Sequence, residues 1–170
     1  MGFNISDITL TSPGGTTLSM DSGATNWMSV NASGILTRPQ TPFMRGQLVG
    51  RGSPYNGSGG PLLVTADVNR GGHWDNATGR FTCPKQGYYM VTASGIASAT
   101  VGYLYVRKNG GDMHSNAWNH TASWHHVSLS AIIFAFPSDW FSWYITSPSP
   151  ATAGFYGDGG HGMFSIALMA

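Results

Sequence analysis

Between Asn69 and Ala93 the chain reads NRGGHWDNATGRFTCPKQGYYMVTA, with aromatic, glycine and amide residues at fixed offsets. Trp74 follows Asn69 by five positions and Phe81 follows Trp74 by seven, while Gly87, Tyr89 and Val91 follow Phe81 by six, eight and ten. Rings spaced in this way predict a β-hairpin whose aromatics fill a sandwich core. No short catalytic motif has this form, so the segment points to a binding or assembly module and away from an enzyme.

The rest of the chain leaves little room for helix. All seven acidic residues are Asp, Lys85 and Lys108 are the two lysines, and there are 24 glycines in 170 residues. Apart from Ala and Leu, the strong helix formers are nearly missing, so the expected class is all-β. A chain of this length fits one domain with a small appendage and buries about 70% of its unfolded surface, enough for a core without disulfides. The single cysteine, Cys83, is then expected to be a small buried hydrophobe.

From Phe43 onward, strand-like runs arrive at the spacing of a sandwich or barrel: MRGQLVGR, PLLVTA, RFTC, GYYMVTASGIA, GYLYVRK, HVSLSAIIFAF, WFSWYIT and HGMFSIALM. Turn residues separate them, notably Asn109-Gly110, Pro137-Ser138-Asp139 and Asp158-Gly159-Gly160. Upstream, short pieces such as FNISDITL and MSVNASGILT alternate with SPGGTT and DSGATN, too short to form a core alone. Residues 1–42 are therefore expected to be an arm or short β-stalk and 43–170 a head, with Pro39 and Pro42 of TRPQTP as the hinge. Neither heptads nor a Gly-X-Y repeat occurs in the arm, which excludes a coiled-coil or collagen stem.

Two strands carry apolar residues on both faces. In HVSLSAIIFAF, Val127, Leu129, Ala131, Ile133 and Ala135 alternate with Ile132, Phe134 and Phe136; in WFSWYI, Phe141, Trp143 and Ile145 lie opposite Trp140 and Tyr144. An antiparallel sheet usually solvates one face, so the second apolar face must be covered by a loop, another sheet or another subunit. A neighbouring subunit is the favoured one.

Charge and motifs remove several function classes. A formal net charge of +1 with 9% charged residues gives no footprint for a phosphate backbone, so nucleic acid is not an expected partner. No run of eighteen apolar residues is present, so no membrane insertion is expected, and the start MGFNISDITL lacks the features of a secretory signal. Gly157, Gly159 and Gly162 satisfy GxGxxG, but the eight residues after them alternate as a strand, so they read as a turn and not a dinucleotide site. His114, His120, His125 and His126 lack a frame that would aim three imidazoles at one point, so no metal or other cofactor is expected. No nucleophile elbow and no Glu pair occurs, and no catalytic residue is assigned.

Recognition is expected in loops. NGGDMHSNAWNHTASWHH reads as a long polar loop in which Trp118, Asn119, His120, Trp124 and His125 are ligand-binding candidates. Aromatic plates flanked by amides suit sugar rings; the competing reading packs both tryptophans against a neighbouring subunit. Tyr55, in RGSPYNGSGGP, marks a second exposed tip.

The hairpin and the strands around it resemble the globular head of the complement C1q family, whose fold is the tumour necrosis factor jelly roll. Asn69, Trp74, Phe81, Gly87 and Tyr89 stand at the family's offsets, while Leu63, Val91 and Ala93 replace aromatics of its pattern. LYVRKNG, SAIIFAFPSDWFSW and GMFSIALM resemble later family strands in the same order, with Ile166 and Ala167 in place of Gly and Phe. The resemblance covers about Phe43 to Ala170 and implies a ten-stranded antiparallel jelly-roll sandwich, assembled as a homotrimer, without catalytic machinery. It also implies that Trp74, Phe81, Tyr89, Phe134, Phe136, Trp140, Trp143 and Phe164 serve the core or the trimer interface.

Upstream, Val30, Asn31, Ser33, Gly34, Leu36, Thr37, Pro39, Pro42 and Phe43 resemble the collar that precedes C1q-like heads in bacteriophage tail fibres and other virion proteins. That resemblance implies a phage virion protein, a fibre knob or capsid decoration. Its arm would meet other virion proteins and its head a host surface receptor or glycan. The alternative is a secreted or surface C1q-like lectin module, extracellular in location. In either setting a histidine repeated about the threefold axis could form a cation or pH-sensitive site.

Overall fold

The computed structural model describes residues 18–22, 25–30, 36–37, 41–48, 61–98, 101–120, 124–146, 155–157 and 160–169. The chain divides into two compact units, Met1–Gln40 and Thr41–Ala170. In the first, β1 (Leu18–Ser22), β2 (Thr25–Val30) and β3 (Leu36–Thr37) form an antiparallel sheet in that order. The expected piece FNISDITL, the loop with Tyr55, and Gly159 lie outside the described residues.

The second unit contains β4 (Phe43–Leu48), β5 (Val64–Arg70), β6 (Trp74–Asp75), β7 (Arg80–Thr82), β8 (Gly87–Ala97), β9 (Val101–Lys108) and β10 (Gly111–Asn119). It continues with β11 (His125–Ala135), β12 (Trp140–Thr146), β13 (Phe155–Tyr156) and β14 (Phe164–Leu168). Two antiparallel sheets result: β10-β9-β12-β7-β6, and β11-β8-β14-β4-β5 with β13 also paired to β8. No helix occurs among the described residues, and the architecture is the expected all-β jelly-roll sandwich. β8 and β12 coincide with GYYMVTASGIA and WFSWYIT. β5 begins three residues later than the run PLLVTA, because Leu62 N donates to Trp143 O (2.8 Å) and Pro61 bridges Tyr144, drawing 61–62 onto the other sheet.

Period-two alternation sets the core. Tyr89, Val91, Ala93 and Ala97 of β8 face inward with Val127, Leu129, Ile133 and Ala135 of β11, and meet Leu104, Val106, Phe141, Trp143 and Ile145 from the opposite sheet. Rings lock the two layers: Trp74 lies 5.4 Å from Trp143, Trp143 5.2 Å from Phe164, Phe81 6.0 Å from Tyr89 and Tyr89 5.7 Å from Phe141. The polar tips of Trp74 and Tyr89 find partners, whereas Trp143 Nε1 is buried with none among the described residues. Trp74 Nε1 donates to Val64 O (2.9 Å) and Tyr89 Oη to Lys85 O (2.7 Å). Asn69 acts as a substitute strand neighbour: its Oδ1 accepts from Trp74 N (3.0 Å) and its Nδ2 donates to Trp74 O (2.9 Å). The five-residue offset between them is the span this closed pair requires. Cys83 is buried beside Tyr89; burial, then the Asp139 carboxylate, pushes its thiol up to about 12, which keeps it protonated and unreactive.

Both faces of β12 are indeed apolar, but on its outer side the chain itself supplies cover, contrary to the expectation of a neighbouring subunit. The Arg107 guanidinium lies 4.0 Å above the Tyr144 ring and Arg80 lies 4.0 Å above Trp140. Asp112 pairs with Arg107, and Pro61 bridges Tyr144 along the strand. Two flat cations with apolar stems thus cover these rings while their polar edges stay wet.

The β9–β10 turn and the β11–β12 turn are joined by one carboxylate. Asn109 (φ 53°) and Gly110 (φ 85°) occupy the left-handed region that a two-residue hairpin needs. Asp139 accepts from Asn109 Nδ2 (2.6 Å) and Phe136 N (2.9 Å), with Lys108 Nζ at 3.5 Å. These contacts, the Asn109 amide first, hold its carboxyl below the ordinary carboxylate range. A folded value below the unfolded one stabilises fully above the unfolded pKa and is lost as pH falls through the folded value. Asp139→Asn should therefore lower stability at neutral pH and flatten its decline in acid, read as urea midpoints across pH; an unchanged acid slope would refute the role. Phe81→Ala, which removes a fully buried ring, should cost about 3–5 kcal/mol in the same assay.

Candidate recognition surface

The outer face of the six-stranded sheet is segregated along its strands. One row across it, fixed by register, is Arg70, Phe43, Ala167, Met90 and Ile132; the next carries Arg45, Ser165, Thr92 and Ser130. At the other end Ile96 is flanked by His126 on β11 and Tyr156 on β13. The near end, where the chain comes into β4, is apolar. Tyr88, Met90, Ile132 and Phe136 are exposed there, Ile132 at 61%, with Tyr88 edge-on to Phe134 (5.1 Å) and Phe134 edge-on to Phe136 (5.2 Å). The middle is a band of hydroxyls, in which Thr92 and Ser165 share a 2.7 Å hydrogen bond and Ser94 Oγ accepts from Met163 N (2.9 Å).

The far end is aromatic. Trp124 is 61% exposed, has φ 70°, and places its ring 4.9 Å from Tyr156 at a 34° tilt. Its N–H donates to Ala97 O (3.1 Å), and Tyr156 is anchored by pairing to Ile96 and by its buried neighbour Phe155. A side chain as bulky as tryptophan in the left-handed region costs about 1–3 kcal/mol. Nearby, the His120 and His125 rings lie 4.2 Å apart, and Trp118 meets His125 edge-on at 6.0 Å.

These positions correct the expected loop. Gly111–Asn119 is the edge strand β10, hydrogen-bonded along β9, with a register shift between Asp112 and His114. An edge strand exposed along nearly its whole length needs no apolar alternation, so its polar sequence mimics a loop. Trp118 is no free plate: it is 6% exposed, because its cross-strand partner is Gly102 and the indole lies where a Cβ would stand. Asn119 ends β10 exposed, with His120 exposed just after it, and His125 opens β11 half-buried. Of the residues expected in core or interface, Trp74, Phe81, Tyr89, Trp143 and Phe164 are core, Phe134 and Phe136 belong to the apolar patch, and Trp140 lies beneath Arg80. Tyr156 escaped the sequence reading; its two-residue strand amid glycine, serine and proline has no periodic signal.

Charge follows the same axis. Arg70 lies beside Phe43, Arg80 and Asp75 share the β6–β7 hairpin, and Arg107, Lys108, Asp112 and Asp139 surround the near-end turns. No Asp, Glu, Lys or Arg occurs in residues 86–106, 113–138 or 140–157, which include Ile96, Trp124, His126 and Tyr156 of the far end. Arg51 and Asp158 lie outside the described residues. Among the described residues no group of three His, Cys, Asp or Glu side chains is placed to hold a metal.

Residues 63–135 match the family model of the C1q domain. No curated protein sequence matches the chain. Among solved structures, the globular domain of zebrafish complement 1qA protein is similar with a TM-score of 0.59 and 15% identity, over 76% of this chain and 98% of that chain. Identity this low shows the fold alone, and the sandwich is a C1q fold.

Because Trp124 sits in a glycine-favouring conformation, Trp124→Gly should leave the unfolding free energy within about 1 kcal/mol of wild type, relief of strain offsetting the lost ring contact. A larger loss in urea titration would make the indole a structural residue.

Proposed function

We propose that the chain is a non-enzymatic recognition and assembly head that works as a homotrimer and is carried by its N-terminal unit on a larger particle. The observation that carries this reading is the cluster of Tyr88, Met90, Ile132, Phe134 and Phe136 at the near end of the sheet face, next to its hydroxyl band. Contiguous exposed rings of this kind mark a surface that another protein covers. A ring of three copies needs two different complementary patches on each. The second is the β10 wall, Met113 and His114, of a cleft of about 450 Å³ whose other wall, Ser130 to Phe134, borders the first patch. Support for a recognition role comes from the C1q domain match, a family whose members are typically trimeric ligand-binding modules.

The particle is a phage virion in the reading that the collar-like run Val30 to Phe43 favours, with the arm against other virion proteins and the head towards a host receptor or glycan. A secreted or surface ligand-binding module is the second reading, favoured by the likeness to a complement globular domain. Labelling of purified particles and of culture medium separates the two. Native mass measurement in dilute solution should give a trimer, and a Met90→Asp, Ile132→Asp double variant should give a folded monomer. A wild-type monomer, or a double variant that remains trimeric, would overturn the assembly.

A further inference from the structure

We infer that the far end of the head binds an uncharged carbohydrate, with the C–H face of a sugar ring stacked on the Trp124–Tyr156 plate. This rests on the reading of the chain as a recognition head and adds its ligand class. Three observations converge on it. The first is the backbone of Trp124: a large side chain is kept in the left-handed region, yet the ring stays 61% exposed instead of joining the core. Strain retained where burial gains little belongs to ligand contacts.

The second is rigidity. Trp124 is tied to Ala97 through its N–H, and Tyr156 is held by strand pairing to β8. The plate is set before any ligand arrives, which limits the entropy lost on binding. At the same end of the strands stand exposed hydrogen-bonding side chains: His126 in register with Ile96, which Tyr156 also pairs, and Asn119 and His120 at the end of β10.

The third is neutrality. Residues 86–106, 113–138 and 140–157 carry no charged side chain, whereas the described charges of the head cluster at or towards the other end. Among the described residues no counter-charge stands here to offset the hydration that an anionic or cationic ligand would give up, nor the cations that a phosphate backbone needs. A ligand with an apolar ring face and a rim of neutral hydroxyls satisfies both parts of the site, the rings taking the C–H face and the imidazoles and amide the hydroxyls. The plate also lies at the end of the sheet opposite the apolar patch, separated from it by the hydroxyl band, so it stays open when that patch is covered.

The test is an array of neutral and charged oligosaccharides, including maltotriose, lactose, tri-N-acetylchitotriose and heparin fragments, probed with the full chain and followed by calorimetry. The wild type should bind at least one neutral sugar, and Trp124→Ala and Tyr156→Ala should each weaken that binding about tenfold or more. Tyr103→Ala, on the other sheet, should leave it unchanged. Native mass and unfolding midpoint are measured on every sample. Binding of charged glycans alone, binding of no sugar, or full binding by a folded Trp124→Ala, Tyr156→Ala double variant overturns the inference. Loss of the trimer in Trp124→Ala also overturns it, because the plate is then a contact between copies. A wild-type trimer that ignores every sugar sinks this inference alone; a wild-type monomer sinks the assembly reading and leaves the sugar result to stand by itself.

Discussion

The head depends on a chain of edge-on and tilted ring contacts that passes from one sheet to the other. Trp74 and Trp143 lie in one sheet, Tyr89 and Phe164 in the other, and Phe81 and Phe141 complete the contact from the first side. Each ring buries a large apolar area, and tilted or edge-on geometry adds to that burial. Because these side chains meet in the middle of the sandwich, the alternation of every long strand is fixed in phase by them. A one-residue slip in β8 would turn Tyr89 outward and bring Tyr88 and Met90 into the core.

From that phase the outer surfaces follow. Once Tyr89, Val91 and Ala93 face inward, Tyr88, Met90, Thr92 and Ser94 must face out, and β11 aligns Phe134, Ile132, Ser130 and Ser128 beside them. An apolar end, a hydroxyl middle and an aromatic, uncharged far end are thus three consequences of one register. The other sheet reaches a different solution with similar residues. There Arg107 and Arg80 stack on Tyr144 and Trp140, so rings of comparable size need no partner chain to cover them.

Much of this was legible in the linear chain, and the failures have specific physical causes. The long strands β8, β11 and β12 announce themselves through alternation and the turn residues beside them, whereas the Asn69–Trp74 offset shows a regularity whose cause, the amide closed on the Trp74 backbone, is seen only in the fold. β10 stayed hidden because an edge strand with most of its side chains in water has no reason to alternate. The same blindness misassigned Trp118, whose burial depends on Gly102, a residue sixteen positions away that leaves room for an indole. Of the two tryptophans expected as plates, Trp124 is the exposed one, and the ring beside it is Tyr156 from a segment with no pattern of its own.

By itself, then, the sequence determined the class, the order of the main strands and the aromatic core, since these follow from local propensity, period-two alternation and turn chemistry. It also carried the absence of charge from three long segments. Only the tertiary structure decided which apolar faces are covered within the chain, which tryptophan is buried, and that the rings of Trp124 and Tyr156 meet at one end. Those outcomes depend on which residues stand opposite each other across strands far apart in sequence. Register across the sheet selects those neighbours, and no local pattern encodes it.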